Sequence, residues 1–275
     1  MTKSISFWSF PAGTTVPEAM ELAKDAGFEG IELTVEAEGD ITADSSPDQV
    51  KKFKKMADDL GLQLATVATG LGWEFPACGP DEKVSQQGVD IVRKCLEVAD
   101  ALEADTILCV PCAVTAEYPY DRAYDDVCRV FSDLGPEAAD AGVCIGLENV
   151  WNKFLLGPLE FARIIDEIDQ EYVQAYFDVG NVMINGFPDQ WIRILGERIK
   201  AVHVKDFRVV GWAGTIDNFV DLLEGNVPWD AVMAAFDEVG YDGAVTAEMM
   251  PPYAHHPERL LEATSRSMDA ILGRT

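Results

Sequence analysis

Residues 173–206 read VQAYFDVGNVMINGFPDQWIRILGERIKAVHVKD. An apolar run closes on Asp178, a longer stretch follows, and a second apolar run carries His203 and ends at Lys205-Asp206. Runs of this kind, apolar on both faces, belong to parallel strands covered by helices. The pattern extends outward over the whole chain. Strands are expected at Ser4–Phe10, Gly30–Val35, Gln63–Thr69, Thr106–Pro111, Cys144–Val150, Val173–Asp178, Ala201–Asp206 and Ala244–Met249. Amphipathic stretches alternate with them, with Phe161, Ile164, Ile165 and Ile168, and Val92, Cys95, Leu96 and Ala99, spaced along one helix face each. Ser46-Pro47, Gly157-Pro158 and Pro228 read as helix entries, and Gly27, Gly61, Gly142 and Gly240 as exits. Eight β-then-α units close a (β/α)8 barrel, a TIM barrel, as one domain over residues 1–275. An open doubly wound sheet is the competitor, and its Gly-rich phosphate turn is missing after the first strand.

In such a barrel the chemistry sits at the C-terminal ends of the strands. Glu148 ends the fifth run, Asp178 the sixth and Glu248 the eighth, while His203 lies in the seventh. Taken one at a time, these are a turn residue, a core histidine and two helix caps. Together at one mouth they would repel and desolvate one another unless a cation held them. Three carboxylates and one imidazole suit a single divalent ion, Mn²⁺ first, with Mg²⁺, Co²⁺ and Zn²⁺ as alternatives. With three histidines in the chain, a site that gathers several imidazoles around several zinc ions is disfavoured.

Composition bounds the partners. A net charge of −27 repels phosphodiester backbones and anionic lipid, which argues against nucleic acid and membrane surfaces. The N-terminus MTKSISFWSFPAG has no secretory pattern, and no run approaches the length of a membrane span, so a cytoplasmic location is expected. The cysteines at 78, 95, 109, 112, 128 and 144 follow no disulfide framework. Cys109 and Cys112 form a C-x-x-C that ends a strand-like run, with no second such pair, which favours packing over redox or zinc chemistry.

The ligand pattern Glu148, Asp178, His203 and Glu248, with the strings FDVGN (177–181), HVKD (203–206) and Gly225-x-Val227-x-Trp229, resembles the xylose-isomerase-like TIM barrels, a superfamily of sugar and sugar-phosphate isomerases and epimerases. The local strings are most similar to its pentulose-phosphate 3-epimerase and hexulose-phosphate isomerase branch. The resemblance implies a divalent ion that holds adjacent oxygens of a ketose and stabilises an enediolate. It also implies that Glu148 and Glu248 exchange protons with carbon as opposed acid and base. A small sugar is then the partner, and a homo-oligomer the implied assembly. Free-ketose 3-epimerases of the superfamily carry a histidine, a glutamate and an arginine where this chain has Asn181, Phe154 and Val209. Arg208 stands one position early.

For substrate binding the candidates are Trp8, Trp73, Asn181, Lys205 and Arg208, with Lys153, Lys205 and Arg208 able to meet a phosphate. A local Lys205–Asp206 ion pair is the alternative for Lys205. Trp151 and Trp212 fit loop packing or subunit contacts as well as a sugar pocket. Residues 207–226 form a long, Gly-containing connection that reads as a lid or an ordered interface. Two other functions use the same barrel: a lyase acting on 3-keto-glycosides by β-elimination, and a non-catalytic barrel subunit.

Overall fold

A computed structural model describes residues 1–211, 214–250 and 253–274. The strands are β1 (Thr2–Ser6), β2 (Gly30–Val35), β3 (Thr66–Thr69), β4 (Thr106–Cys109), β5 (Cys144–Glu148), β6 (Val173–Asp178), β7 (Ile199–Val204), β8 (Asp206–Phe207), β9 (Phe219–Val220) and β10 (Ala244–Ala247). Eight of them close a parallel barrel in the order β1-β10-β7-β6-β5-β4-β3-β2, and β8 pairs with β9 in a separate antiparallel ribbon. The helices are α1 (Val16–Asp25), α2 (Pro47–Leu60), α3 (Glu82–Leu102), α4 (Tyr120–Ala141), α5 (Pro158–Ile168), α6 (Val179–Val182), α7 (Pro188–Leu195), α8 (Trp229–Val239) and α9 (Glu258–Ile271).

Local sequence chemistry sets the helix ends. Ser46 and Gln49 cap each other's backbone N–H at the start of α2, with Pro47 in the first turn, and Thr15 and Glu18 do the same for α1. Gly61, Gly142 and Gly240 close α2, α4 and α8 in the left-handed conformation. Pro228 is the N-cap of α8, directly before its first turn, as a helix entry. The Phe161 and Val92 stripes are buried against the barrel. Most of the apolar core lies between strands and helices, and a smaller cluster of Ala68, Leu108, Tyr176 and Ala201 fills the barrel interior.

Several strands are shorter than the sequence suggests. β1 stops at Ser6 because a 3-10 turn, Phe7–Ser9, folds the chain over the barrel mouth. Ser9 pins that turn, its hydroxyl accepting from Met249 N at 2.9 Å. At the start of β3, Gln63 makes only an isolated bridge to Gly30. β4, β5 and β10 end before their expected last residues, where the chain leaves the ladder for the mouth. β7 ends at Val204, and Asp206 turns away into the β8–β9 ribbon. Among the described residues no helix is long and apolar enough to cross a membrane. Cys109 and Cys112 are buried free thiols whose ionisation burial opposes, as packing residues should be.

The chain ends are joined across the barrel wall. Lys3, on the outer face of β1, is buried and donates to Asp269 at 2.6 Å and to Ser265 Oγ at 3.0 Å on α9. Asp269→Ala strands that ammonium and should cost about 1–3 kcal/mol, below the fully buried range because the Asp269 side chain is 33% exposed. Lys3→Met, which removes the charge and keeps the volume, should cost less. Urea denaturation of the two variants checks the order.

Candidate metal centre and its cavity

β5 ends in Glu148, β6 in Asp178, β7 carries His203 next to its last residue, and Glu248 directly follows β10. All four side chains are buried. Their meeting depends on an irregularity in the β6–β7 ladder, where Ala175 pairs with Ile199 but Tyr176 pairs with Ala201. The slip leaves Lys200 unpaired and exposed and brings His203 level with Asp178. Without it Asp178 would face Val202, and His203 would point out towards the helices, because a one-residue slip exchanges the faces of a strand.

Glu148, Asp178 and His203 each offer a ligand atom within 4.8 Å of the others. His203 Nδ1 lies 3.7 Å from Glu148 Oε1 and 3.8 Å from Glu248 Oε2. Two buried polar atoms here lack a hydrogen-bond partner, His203 Nδ1 and Asp178 Oδ2. Buried polar atoms are rarely left so, and His203 Nδ1, grouped with carboxylate oxygens of Glu148 and Asp178, fits a divalent cation. Asp178 serves twice, since its Oδ1 accepts from Asn181 N at 2.7 Å and caps α6. Glu248 is bound differently from the triad, its Oε2 taken by Lys205 Nζ.

Glu32, in the middle of β2, is the residue that sequence reasoning missed. It is fully buried and reaches through the barrel interior. Its Oε1 lies 2.9 Å from His203 Nε2, and its Oε2 accepts from Tyr176 OH at 2.5 Å and Thr66 Oγ1 at 2.8 Å. β6 stands opposite β2 in the barrel, so the Tyr176 bond spans the interior. A carboxylate can only accept, so Glu32 fixes the proton on Nε2 and leaves Nδ1 to face the centre. The signal was a glutamate flanked by apolar residues in GIELTV.

Lys205 enters the centre from the loop after β7. Its Nζ lies 2.9 Å from Asp178 Oδ2, an ion pair without hydrogen-bond alignment, and it bonds Glu248. A Cβ at residue 180 would overlap Lys205 Cγ, which is why the string FDVGN has glycine there. The alternative Lys205–Asp206 pair is not formed, since Lys205 pairs with Asp178 and Glu248. Asp206 instead accepts from Phe207 N at 2.8 Å, Leu223 N at 3.0 Å, Val227 N at 3.1 Å and Trp229 Nε1 at 3.0 Å. It clamps both ends of the 207–226 connection, and a Cβ at residue 225 would overlap its carboxylate. The Gly225-x-Val227-x-Trp229 string is the other half of that clamp.

Burial opposes charge throughout the centre. It raises Glu148 to about 7, helped by Asp178 and Glu248 and resisted by His203. For Glu248 burial is outweighed by Lys205 and His203, and its carboxyl lies below the ordinary value. For Glu32 burial is outweighed by His203, Tyr176 and Thr66, which also leaves it lowered. For His203 burial is overcome by Glu32 and Glu248, and its pKa stands well above the usual imidazole range.

A cavity of about 390 Å³ opens above these groups. Glu148, Glu248, Lys205 and Asn181 line it, with Trp8, Trp73, Trp151 and Phe219. Trp8 sits on the 3-10 turn and donates to Glu36 at 3.0 Å. Asn181 donates to Asn149 O at 3.1 Å. Trp151 stacks on Phe219 with ring centroids 5.2 Å apart. The structure does not bring Arg208 or Lys153 to the cavity. Arg208 is exposed beside Glu224, bonded to its carbonyl at 3.2 Å, and Lys153 is exposed in the loop after β5. Phe154 is a core residue, Val209 is exposed, and Trp212 lies outside the described residues.

With this geometry, residues 20–271 match the xylose isomerase-like TIM barrel family, and the chain belongs to it. It is 26% identical over 257 residues to the L-ribulose-5-phosphate 3-epimerase UlaE of Salmonella paratyphi C, covering 90% of this chain and 87% of that one. It is 25% identical over 245 residues to the uncharacterized protein MJ1311 of Methanocaldococcus jannaschii, covering 85% of this chain and 79% of that one. The crystal structure of the IOLI protein with a binding zinc atom superposes with a TM-score of 0.84 at 16% identity, covering 100% of this chain and 99% of that one.

Two outcomes follow for metal binding. Glu32→Gln should weaken divalent-ion affinity by about 10–100-fold with the fold retained, since the amide no longer dictates the His203 tautomer. Calorimetric titration with Mn²⁺ measures it. Glu148 and His203 both hold protons more firmly than usual, and a cation must displace them, so affinity should climb as pH rises through about 7. Titration in buffers of different ionisation enthalpy should show proton release near neutrality, and a pH-independent affinity would contradict it.

Proposed function

We propose that this chain is a divalent-cation-dependent epimerase or isomerase of a ketose sugar. The observation that carries it is the pair Glu148 and Glu248, which approach His203 Nδ1 to 3.7 and 3.8 Å from strands three places apart round the barrel. Two carboxyls that face one cavity floor from two sides supply an acid and a base that exchange roles.

Glu148, Asp178, His203 and, after release from Lys205, Glu248 would hold the ion. Mn²⁺ suits three carboxylates and one imidazole, with Mg²⁺ and Co²⁺ as near equivalents, and the zinc of the IOLI protein keeps Zn²⁺ in the set. When bound, the ion supplies Lewis-acid polarisation of the ketose carbonyl and its neighbouring hydroxyl. Glu248, as the carboxylate, takes the proton from the carbon next to the carbonyl. Glu148 delivers a proton, to the same carbon from the other side for epimerisation or to the neighbouring carbon for isomerisation. Trp8 and Trp73 exclude water and offer flat faces to the sugar, and Asn181 supplies an amide to a hydroxyl. The resemblance to UlaE, an L-ribulose-5-phosphate 3-epimerase, supports proton transfer next to a ketone.

Incubation of the Mn²⁺-loaded protein in D₂O with pentuloses and hexuloses, free and phosphorylated, should give metal-dependent C–H to C–D exchange by proton NMR. The exchanged carbon tells epimerase from isomerase. At saturating metal, Glu148→Gln and Glu248→Gln should each slow exchange by about 100-fold or more while the unfolding midpoint is retained. A variant at the wild-type rate would remove that residue from the mechanism.

A further inference from the structure

The cavity is graded from floor to rim. At the floor are Glu148, Glu248, Asn181 and Lys205, all buried and polar. At the rim are Trp73, Ile216 and Met250, which are 53%, 57% and 39% exposed. Large apolar side chains left this open around a concave site mark a surface that a ligand covers. Trp151 and Phe219 form a stacked wall between the two levels.

Among the described residues lining the cavity, Lys205 is the one cation, and it is buried at the floor and not at the rim. Its ammonium is shared between Asp178 and Glu248, and its third neighbour is the Phe219 ring at 5.0 Å. Arg208 and Lys153, the other groups able to meet a phosphate, stand outside. A dianionic phosphate at the rim would meet mainly aromatic and aliphatic side chains, with the floor carboxylates below and no cationic side chain among the described rim residues. A hexulose fills on the order of half of the cavity's 390 Å³ at the packing of a protein interior, so the floor takes a ketose and the rim is left over.

We propose that the substrate is an unphosphorylated ketose derivative whose far end carries an apolar, ring-sized substituent, seated against Trp73, Ile216 and the Trp151–Phe219 wall. This rests on the epimerase or isomerase function proposed above and narrows its substrate class. The reacting carbons lie at the buried polar floor, and the substituent covers the apolar rim.

Matched ligands test it. Several ketoses are each prepared free, phosphorylated at the terminal hydroxyl, and benzylated at that same hydroxyl. Each is titrated into the Mn²⁺-loaded protein by tryptophan fluorescence and calorimetry, with deuterium exchange followed in parallel. The benzyl form of at least one ketose should bind roughly tenfold or more tightly than its free form, about 1.4 kcal/mol, and the phosphate should gain nothing over the free form. Trp73→Ala and, independently, Ile216→Asn should bring the benzyl-to-free affinity ratio close to unity. Tighter binding of a phosphate than of its free parent, or equal binding of free and benzyl forms, overturns the substrate class while exchange still supports the function. Absence of metal-dependent exchange and binding for every form overturns both.

Discussion

The contact between Glu32 and His203 organises this molecule. A carboxylate from β2 crosses the barrel interior to the imidazole of β7, and a tyrosine from β6 and a threonine from β3 secure it. An ionised side chain with no exposure is costly unless every lone pair is used, and Glu32 uses both oxygens on three donors. Four strands are thereby held in register from within. The direction of His203 is set at the same time, with one nitrogen tied below and the other left facing the mouth.

Above that network the mouth holds more acid than its one lysine and one histidine neutralise. Lys205 lies against Asp178 and Glu248, on oxygens that a divalent ion would also take. A divalent ion held by those carboxylates would compete with the lysine, and its entry would require Lys205 and Glu248 to move. Glycine at 180 gives the lysine stem its path. The neighbouring Asp206 does unrelated work, gathering the backbone of the 207–226 connection and carrying Phe219 to the cavity wall.

Much of the fold is legible in the sequence. The β6 and β2 boundaries are those read from VQAYFD and GIELTV, and the Ser46-Pro47 and Gly157-Pro158 entries start helices as their capping chemistry requires. Errors gather at strand ends. There the chain leaves the ladder to build the mouth, and backbone N–H groups donating to Ser9 and Asp206 decide where it turns. The sequence offers Arg208 for substrate binding and Lys153 for a phosphate, but loop geometry turns both to solvent.

The sequence by itself determined the repeat of eight apolar runs and the positions of Glu148, Asp178, His203 and Glu248 on them, because alternation, capping and turn residues act over a few positions. Tertiary structure alone decided which of these groups meet. The irregular pairing opposite Tyr176 puts His203 inside the barrel, and Glu32 joins it from a strand 171 residues away. Gaps of that length cannot be read locally, since ladder register and a bond through the barrel exist only after the sheet has closed.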